Sequence, residues 1–529
     1  MIRTRFAPSP TGGLHIGGVR TALFCYLYAK QHGGQFILRI EDTDQSRFVA
    51  GAEEYITETL AWCAIQPDES PQIGGEYAPY RQSERKVAGI YQQYADRLIA
   101  DGNAYYAFDT PEQLEAIRHA FDAEGKRFQY DAHTRLLPQL RNSLTMSPEA
   151  VAESLANGER VVVRIKMPIG ETIQLNDMIR GKVEFRSDLT DDKILLKADA
   201  MPTYHLAVVV DDYLMRITHA FRGEEWLPSA PVHLKLYDYL GWENNMPQFA
   251  HLPLILKPDG KGKLSKRDGD RLGFPVYALA WLNRETGIPT LGFREQGFSP
   301  QAVINFLALL GWNNGTEQEI FSLDELIAQF DITRVNKAGA KFDYEKAKWM
   351  NQQHIKATPI EQLTAQLAAI APEEYRHLSP ETLSPAVALM RDRLVLIGDF
   401  WRDARYLFSP PTEYDTATLQ KKWRPDLSPV FEQLIGNLGA LSDFSSHAVD
   451  TAIKQTLQQQ NAKIGDVMPL LRVFLTGGMG GPAVPDLIAT LGQPETINRL
   501  QRGLDKMWTV VFPSKAQIHY DTNNTYITI

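Results

Sequence analysis

Residues 2–7 alternate in the manner of a short strand, whose successive side chains face opposite sides. Pro8-Ser9-Pro10-Thr11-Gly12-Gly13 follows, and two prolines with two glycines bar regular structure and make a loop. From 17 to 31 the period becomes helical, with Val19, Ala22, Leu23, Tyr26 and Leu27 recurring on one face. Gly33-Gly34 ends that helix, and the apolar run 36–40 fits a buried strand. Strand, loop, helix and strand in this order open a doubly wound, nucleotide-binding sheet.

Further along, 111–123 reads as a helix and 160–168 as a strand, with two more strand-like runs near 172 and 183. This predicts a mixed α+β domain, 109–200, inserted into the first. The run Leu206-Ala207-Val208-Val209-Val210-Asp211-Asp212 predicts a buried strand ending in acids, where the parallel sheet resumes. A Gly- and Lys-rich loop, 257–269, comes next. Beyond about 300 the pattern is helical at 300–310, 323–330, 361–370, 385–400 and onward to 504, with a sharp loop at Gly477-Gly478-Met479-Gly480-Gly481-Pro482. The expected fold is therefore multidomain. A Rossmann-type α/β domain is built from 1–108 and 201–270 around the insertion 109–200. A helical segment 271–350 and an all-α region 351–506 follow. The stretch 272–296 and the tail 507–529 receive no function.

A chain of 529 residues exceeds one hydrophobic core, and its 44% hydrophobic and 22% charged content is that of a soluble globular protein. A net charge of −9 excludes a coat of basic residues, although a local basic face can still meet nucleic acid. Two cysteines, Cys25 and Cys63, give no disulfide framework and no cysteine-rich zinc site. No apolar run approaches a membrane span, and Met1-Ile2-Arg3-Thr4-Arg5-Phe6-Ala7-Pro8 lacks the apolar core of a signal peptide, so the expected location is the cytoplasm.

Two motifs carry chemistry. In Pro8 to Gly18 the helix beginning near Gly17 aims unpaired N–H groups and its positive dipole end at the loop, Gly17 and Gly18 let a flat adenosine approach the backbone, and His15 can donate to a phosphate oxygen. In Lys257-Pro258-Asp259-Gly260-Lys261-Gly262-Lys263-Leu264-Ser265-Lys266-Arg267, four lysines and an arginine share a loop suited to closing on a triphosphate. When an acid attacks the α-phosphorus of ATP, charge builds on that phosphate and on pyrophosphate, and cations aimed there favour the transition state. Lys263 and Lys266 are the candidates.

His15-Ile16-Gly17-Gly18 and Lys263-Leu264-Ser265-Lys266-Arg267 resemble the two signatures of class I aminoacyl-tRNA synthetases, in the same order and with a domain between them. Arg5-Phe6-Ala7-Pro8-Ser9-Pro10-Thr11-Gly12 and Arg39-Ile40-Glu41-Asp42-Thr43-Asp44 are similar to the glutamyl and glutaminyl branch. Glutaminyl members usually carry β-barrels in the last third, whereas 350–504 is helical here, so the resemblance, from residue 2 to about 504, is to the bacterial-type glutamyl-tRNA synthetases.

Glutamate is a dianion bearing one ammonium, and a selective pocket needs two cations and one acceptor; arginine binds carboxylates through two parallel bonds. The resemblance implies Arg5 for the side-chain carboxylate, Arg222 (in a loop after the 206–212 strand) for the α-carboxylate and Glu41 for the ammonium, with Ala7, Ser9 and Tyr204 completing the pocket. It implies Thr11, His15, Gly17, Gly18, Glu225, Trp226 and Lys266 for ATP, and His15, Lys263 and Lys266 for catalysis. Some relatives carry asparagine where this chain has Val208, so that contact near the α-carboxylate is absent or replaced. The insertion resembles a module that grips the tRNA acceptor end. Many relatives hold zinc there through cysteines, which Tyr105-Tyr106-Ala107-Phe108 and Tyr130-Asp131-Ala132-His133 lack, so no zinc is expected. The segment 271–350 is the expected stem-contact domain and 351–506 the anticodon-binding domain, where Arg393 and Arg472 align with anticodon-reading arginines.

The reaction so implied joins L-glutamate to the 3′ end of tRNA(Glu) through glutamyl-adenylate, using ATP and Mg2+, with the first step requiring bound tRNA and the enzyme a monomer. Arginine at 393 resembles forms that reject tRNA(Gln). A form that also charges tRNA(Gln), a truncated relative that modifies a tRNA base, and a tRNA-binding paralogue without catalysis are the alternatives. The region 350–504 argues against the second, and the intact His15, Lys263, Lys266, Arg5 and Glu41 against the third.

Overall fold

Strand β1, Arg3–Phe6, is buried along its whole length and pairs in parallel with β2, Gln35–Leu38. Helix α1, Ile16–Gln31, connects them and buries Val19, Leu23 and Leu27. The structure, a computed structural model, describes residues 1–282 and 287–511. By its internal contacts the chain forms one unit from Met1–Met350 and a second beginning at Asn351.

In the first unit the later strands are β3 (Ala104–Ala107), β4 (Val162–Ile165), β5 (Thr172–Asp177), β6 (Gly181–Arg186), β7 (Ile194–Leu196), β8 (His219–Gly223) and β9 (Gln248–Leu252). The main sheet runs β2-β1-β8-β9-β5-β6, parallel at each pairing except the β5–β6 hairpin. The other three strands form an antiparallel sheet, β3-β4-β7. The segment 109–200 thus lends a hairpin to the main sheet, and its β4 and β7 build the smaller sheet together with β3, which lies just before the expected boundary. Its first helix is Pro111–Ala123, capped by Thr110, whose side chain accepts the Gln113 N–H.

One expected strand is a helix. Tyr204–Leu214 is α-helical and buries Leu206, Val208, Val210, Asp211 and Asp212. A helix covered on every side has no polar stripe, so its period is hidden within an apolar run, and packing overrides the strand preference of three valines. The sheet resumes instead at β8 and β9, and Arg222, expected in a loop, lies within β8. The expected lysine loop also stops early, because Lys266–Leu272 is helical, with Ser265 and Asp268 forming a capping box. The core of this unit joins Ile165, Leu175, Leu206, Val210 and Leu236. Full burial of such side chains contributes about 1.5–3 kcal/mol each.

The second unit is helical, with Ser428–Gly439, Ser446–Gln459, Ile464–Thr476 and Val484–Leu491 packed around Leu434, Leu471 and Phe474. The helix expected over 385–400 is Pro380–Met390. It starts earlier because the Ser379 hydroxyl caps it by accepting the Thr382 N–H, and it ends in 3-10 turns at Arg391–Arg393 and Ile397–Asp399. The last helix, Gln493–Val511, runs through the start of the expected tail, and 512–529 lie outside the described residues.

Candidate active site

The carboxyl ends of β1, β2, β8 and β9 open onto a cavity of about 590 Å³. Open parallel sheets place ligands at this edge, where loops can carry chemistry without breaking the ladder. All the sequence-predicted site residues of the first unit come together here: Arg5, Ala7, Ser9, Thr11, His15, Gly17, Gly18, Glu41, Tyr204, Arg222, Glu225, Trp226, Lys263 and Lys266 line it.

At one end His15 caps α1: its Nδ1 accepts the Gly17 N–H at 3.0 Å. With Nδ1 occupied as acceptor, the ring proton belongs on Nε2, which is buried with no hydrogen-bond partner among the described residues. Burial, helped by Lys266 and Lys263, lowers the His15 pKa to about 4, so the imidazole is a neutral donor at physiological pH. The Lys263 ammonium donates to Glu225 Oε1 at 2.6 Å, an ion pair between two residues given separate tasks by the sequence. Trp226 is half-exposed, and its ring lies 4.5 Å from that of Tyr204, so it is a wall of the cavity and not a core residue.

The stretch 272–296, left without a function, packs on the signature loop. The Ile16 N–H donates to the Val276 carbonyl at 3.0 Å, and the Tyr55 hydroxyl donates to the Leu279 carbonyl at 2.6 Å. A Cβ on Gly13 would stand 2.7 Å from the Trp281 ring, so only glycine admits that tryptophan.

The end of the cavity lined by Arg5 and Glu41 rests on a buried ion network. Arg5 donates from Nε to Asp212 at 3.0 Å and from Nη1 to the Phe221 carbonyl. Arg39 donates to Asp212 at 2.7 Å and to Glu41 at 2.9 Å, and Arg85 donates to Asp211 at 2.6 Å. Burial alone would raise the Asp212 pKa, but Arg5 and Arg39 outweigh it and hold the carboxyl below its ordinary value. Glu41 moves up, because burial exceeds the help from Arg39. Sequence reading missed Arg39, Asp212 and Arg20. Arg20 lines the cavity and donates from Nη1 to the Leu310 carbonyl at 2.8 Å. An arginine next to Val19 on the apolar side of α1 was the available signal.

In the second unit the two expected arginines stand near one tyrosine. Arg393 is exposed, while Arg472 donates to the Pro482 carbonyl at 2.7 Å and so pins the glycine-rich loop. Burial, with repulsion from Arg393, lowers the Arg472 pKa, and Tyr406 opposes the shift. Gly481 has φ +124° and would bring a Cβ within 3.2 Å of the Arg472 guanidinium, which glycine alone avoids.

Among the described residues no three His, Cys, Asp or Glu side chains are grouped to hold a metal ion. In the segments around Tyr105 and Tyr130, the Tyr105 hydroxyl donates to Asp192 at 2.7 Å and the Arg164 guanidinium covers the Tyr130 ring at 3.9 Å.

Comparison with known proteins gives these features a context. Residues 1–349 match the family of class I tRNA synthetases (E and Q), catalytic domain, and residues 347–504 match the anticodon binding domain family. The chain is 50% identical to a glutamate–tRNA ligase of Flavobacterium johnsoniae, over 96% of this chain and 99% of that protein. It is 50% identical to one of Phocaeicola vulgatus, over 95% and 98%. A solved glutamate tRNA ligase of Elizabethkingia meningosepticum, in complex with its amino acid, is similar with TM-score 0.91 and 46% identity, over 96% of this chain and 99% of that one.

Proposed function

The chain belongs to the glutamate–tRNA ligases, which are class I aminoacyl-tRNA synthetases, and from that premise we propose how its residues divide the work. Arg222 takes the α-carboxylate of L-glutamate, Arg5 the side-chain carboxylate, and Glu41 the ammonium, with Ala7, Ser9 and Tyr204 as walls. ATP lies along Thr11, His15, Gly17 and Gly18, with Glu225, Trp226 and Lys266 beside it. The observation that carries this reading is that, of the three buried nitrogens on cavity-lining residues without partners among the described residues, His15 Nε2 is a neutral donor at one end and Arg222 Nη2 a cation at the other, with Arg20 Nε the third. Unpaired buried polar groups are costly, and a phosphate oxygen and a carboxylate would satisfy them.

An α-carboxylate oxygen of glutamate attacks the α-phosphorus of ATP, the bond to the bridging oxygen breaks, and pyrophosphate leaves. The terminal ribose hydroxyl of tRNA(Glu) then attacks the acyl carbon and AMP leaves. No covalent enzyme intermediate is required; positioning and charge stabilisation by His15, Lys263 and Lys266 supply the rate. Lys263 must exchange Glu225 for phosphate to take part. Mg2+ enters with the nucleotide on this reading, its ligands being phosphate oxygens. By the same resemblance the enzyme is a monomer working in the cytoplasm; among the described residues no helix is long and apolar enough to cross a membrane.

The test is charging of purified tRNA(Glu) and tRNA(Gln), in parallel, with labelled glutamate, ATP and magnesium. Product on tRNA(Glu) alone is expected. Product on both would keep the enzyme and discard Arg393 as a discriminator; product on neither would overturn the reading.

A further inference from the structure

We propose that His251, itself held by Asp177, is a positioning residue that fixes the Arg222 guanidinium and through it the affinity for the amino acid. The inference rests on reading Arg222 as the α-carboxylate site.

The three residues belong to adjacent strands of the main sheet. Arg222 on β8 and His251 on β9 are direct register partners, and Asp177 ends β5, the next strand over. His251 is fully buried and Asp177 nearly so. Asp177 Oδ2 lies 2.6 Å from His251 Nδ1. A carboxylate can only accept, so the ring proton sits on Nδ1 and the lone pair on Nε2. That lone pair accepts Arg222 Nε–H at 2.9 Å. Burial, reinforced by Arg222, keeps His251 neutral against the pull of Asp177.

The Arg222 Nη1 is occupied in turn, by the Tyr204 hydroxyl at 3.1 Å and His233 Nδ1 at 3.0 Å. Its hydrogen-bond partners are therefore two imidazoles and a phenol, a further contact is the Phe249 ring at 5.2 Å, every one of these is neutral, and Nη2 is left buried without a partner among the described residues. Arg5, by contrast, is bound directly to a carboxylate. A neutral frame orients a guanidinium while leaving its charge for an incoming anion. The aspartate is set one side chain back, where it selects the imidazole tautomer without covering the guanidinium.

The full-length enzyme carrying His251→Phe, His251→Gln or Arg222→Gln tests this, read by KM for glutamate, KM for ATP and the melting midpoint. His251→Phe keeps a ring of similar size but removes acceptor and donor. It is expected to raise KM for glutamate about tenfold or more, the scale of one lost charge-assisted hydrogen bond, with KM for ATP changed less than about twofold. Glutamine can accept from Arg222 and donate to Asp177, so His251→Gln is expected to restore most of the loss. Equal KM for glutamate in His251→Phe and the parent overturns the proposal, as does equal damage in both His251 variants or a parallel rise in both KM values. If Arg222→Gln itself leaves KM for glutamate unchanged, the reading of Arg222 fails and takes the proposal with it. If Arg222→Gln raises it and His251→Phe does not, the positioning role alone fails. Should His251→Phe not fold, selective nitrogen-15 labelling of histidine in the unaltered enzyme decides: a proton on Nδ1 of His251 supports the relay, and a proton on Nε2 overturns it.

Discussion

The floor of the cavity in the first unit and the arginine pair of the helical unit handle charge in opposite ways. Arg5, Arg39 and Arg85 are buried against Asp211, Asp212 and Glu41, so that each guanidinium has a carboxylate within hydrogen-bonding reach. Arg393 is exposed, and Arg472 rests on backbone carbonyls. Charge inside the sheet is paired because an isolated buried ion is too costly. Arg393 stays accessible at little cost because solvent already screens its charge. The difference teaches how the proposed division of work is built: the paired groups hold shape, and among the cavity-lining atoms left without a partner, His15 Nε2 and Arg222 Nη2 are the two that the proposed function gives to substrate.

The largest effect is expected from breaking the paired side. Asp212→Ala strands Arg5 and Arg39 without their shared anion, and loss of one partner of a buried pair costs about 3–5 kcal/mol. Urea unfolding followed by tryptophan fluorescence would measure it; a change below about 1 kcal/mol would mean that the network contributes little to holding this floor. Next comes Lys266→Ala. Removing one group that stabilises transition-state charge costs about 10²–10³-fold in rate, so pyrophosphate exchange should fall by that factor while tRNA affinity holds. Normal exchange in this variant would remove Lys266 from the chemistry.

The two variants also mark what the sequence made legible. Lys266, His15 and the loop between Pro8 and Gly18 were visible because proline, glycine and clustered lysines break the hydrophobic period at one place. Arg5 and Glu41 were reached through the family resemblance of 5–12 and 39–44, not from the hydrophobic pattern. Asp212 was not, because its partner Arg5 lies 207 residues away and no period links them. The run 206–212 was read as a strand since a fully buried helix and a buried strand have the same apolar composition. That error also moved Arg222 from β8 into a loop. The packing of the Trp281 and Tyr277 rings against Gly13 was equally hidden, being a contact between distant segments whose composition is ordinary.

Acid should separate the two ways of handling charge by pH. His15, His205 and His219, all in the first unit, are lowered to about 4, in each case chiefly by burial. A histidine depressed in the folded state binds fewer protons than in the unfolded chain. Its contribution is therefore complete above the ordinary value of 6.5 and is lost as pH falls toward about 4. The melting midpoint should fall through that window, before the low-pKa Asp212 begins to protonate. A midpoint constant from pH 7 to about 4.5 would show that these imidazoles are not held neutral.

The smallest effect should come from Arg393, and it sharpens the comparison most. An exposed side chain in a 3-10 turn contributes little to folding, so Arg393→Gln should shift stability by less than about 0.5 kcal/mol and leave tRNA-independent binding of ATP unchanged. If the guanidinium reads an anticodon base, losing that contact costs about 1–3 kcal/mol in tRNA recognition, roughly tenfold or more, and relaxes selection at one position. Charging kinetics with tRNA(Glu) and tRNA(Gln) would register this as a higher KM for the first and a gain for the second. Arg472→Gln is the informative neighbour: it removes the donor to the Pro482 carbonyl, so it should weaken tRNA binding while also lowering the melting midpoint. Equal behaviour of the two variants would mean that Arg393 acts through the fold, as Arg472 does, and that the open side of the comparison is as structural as the paired one.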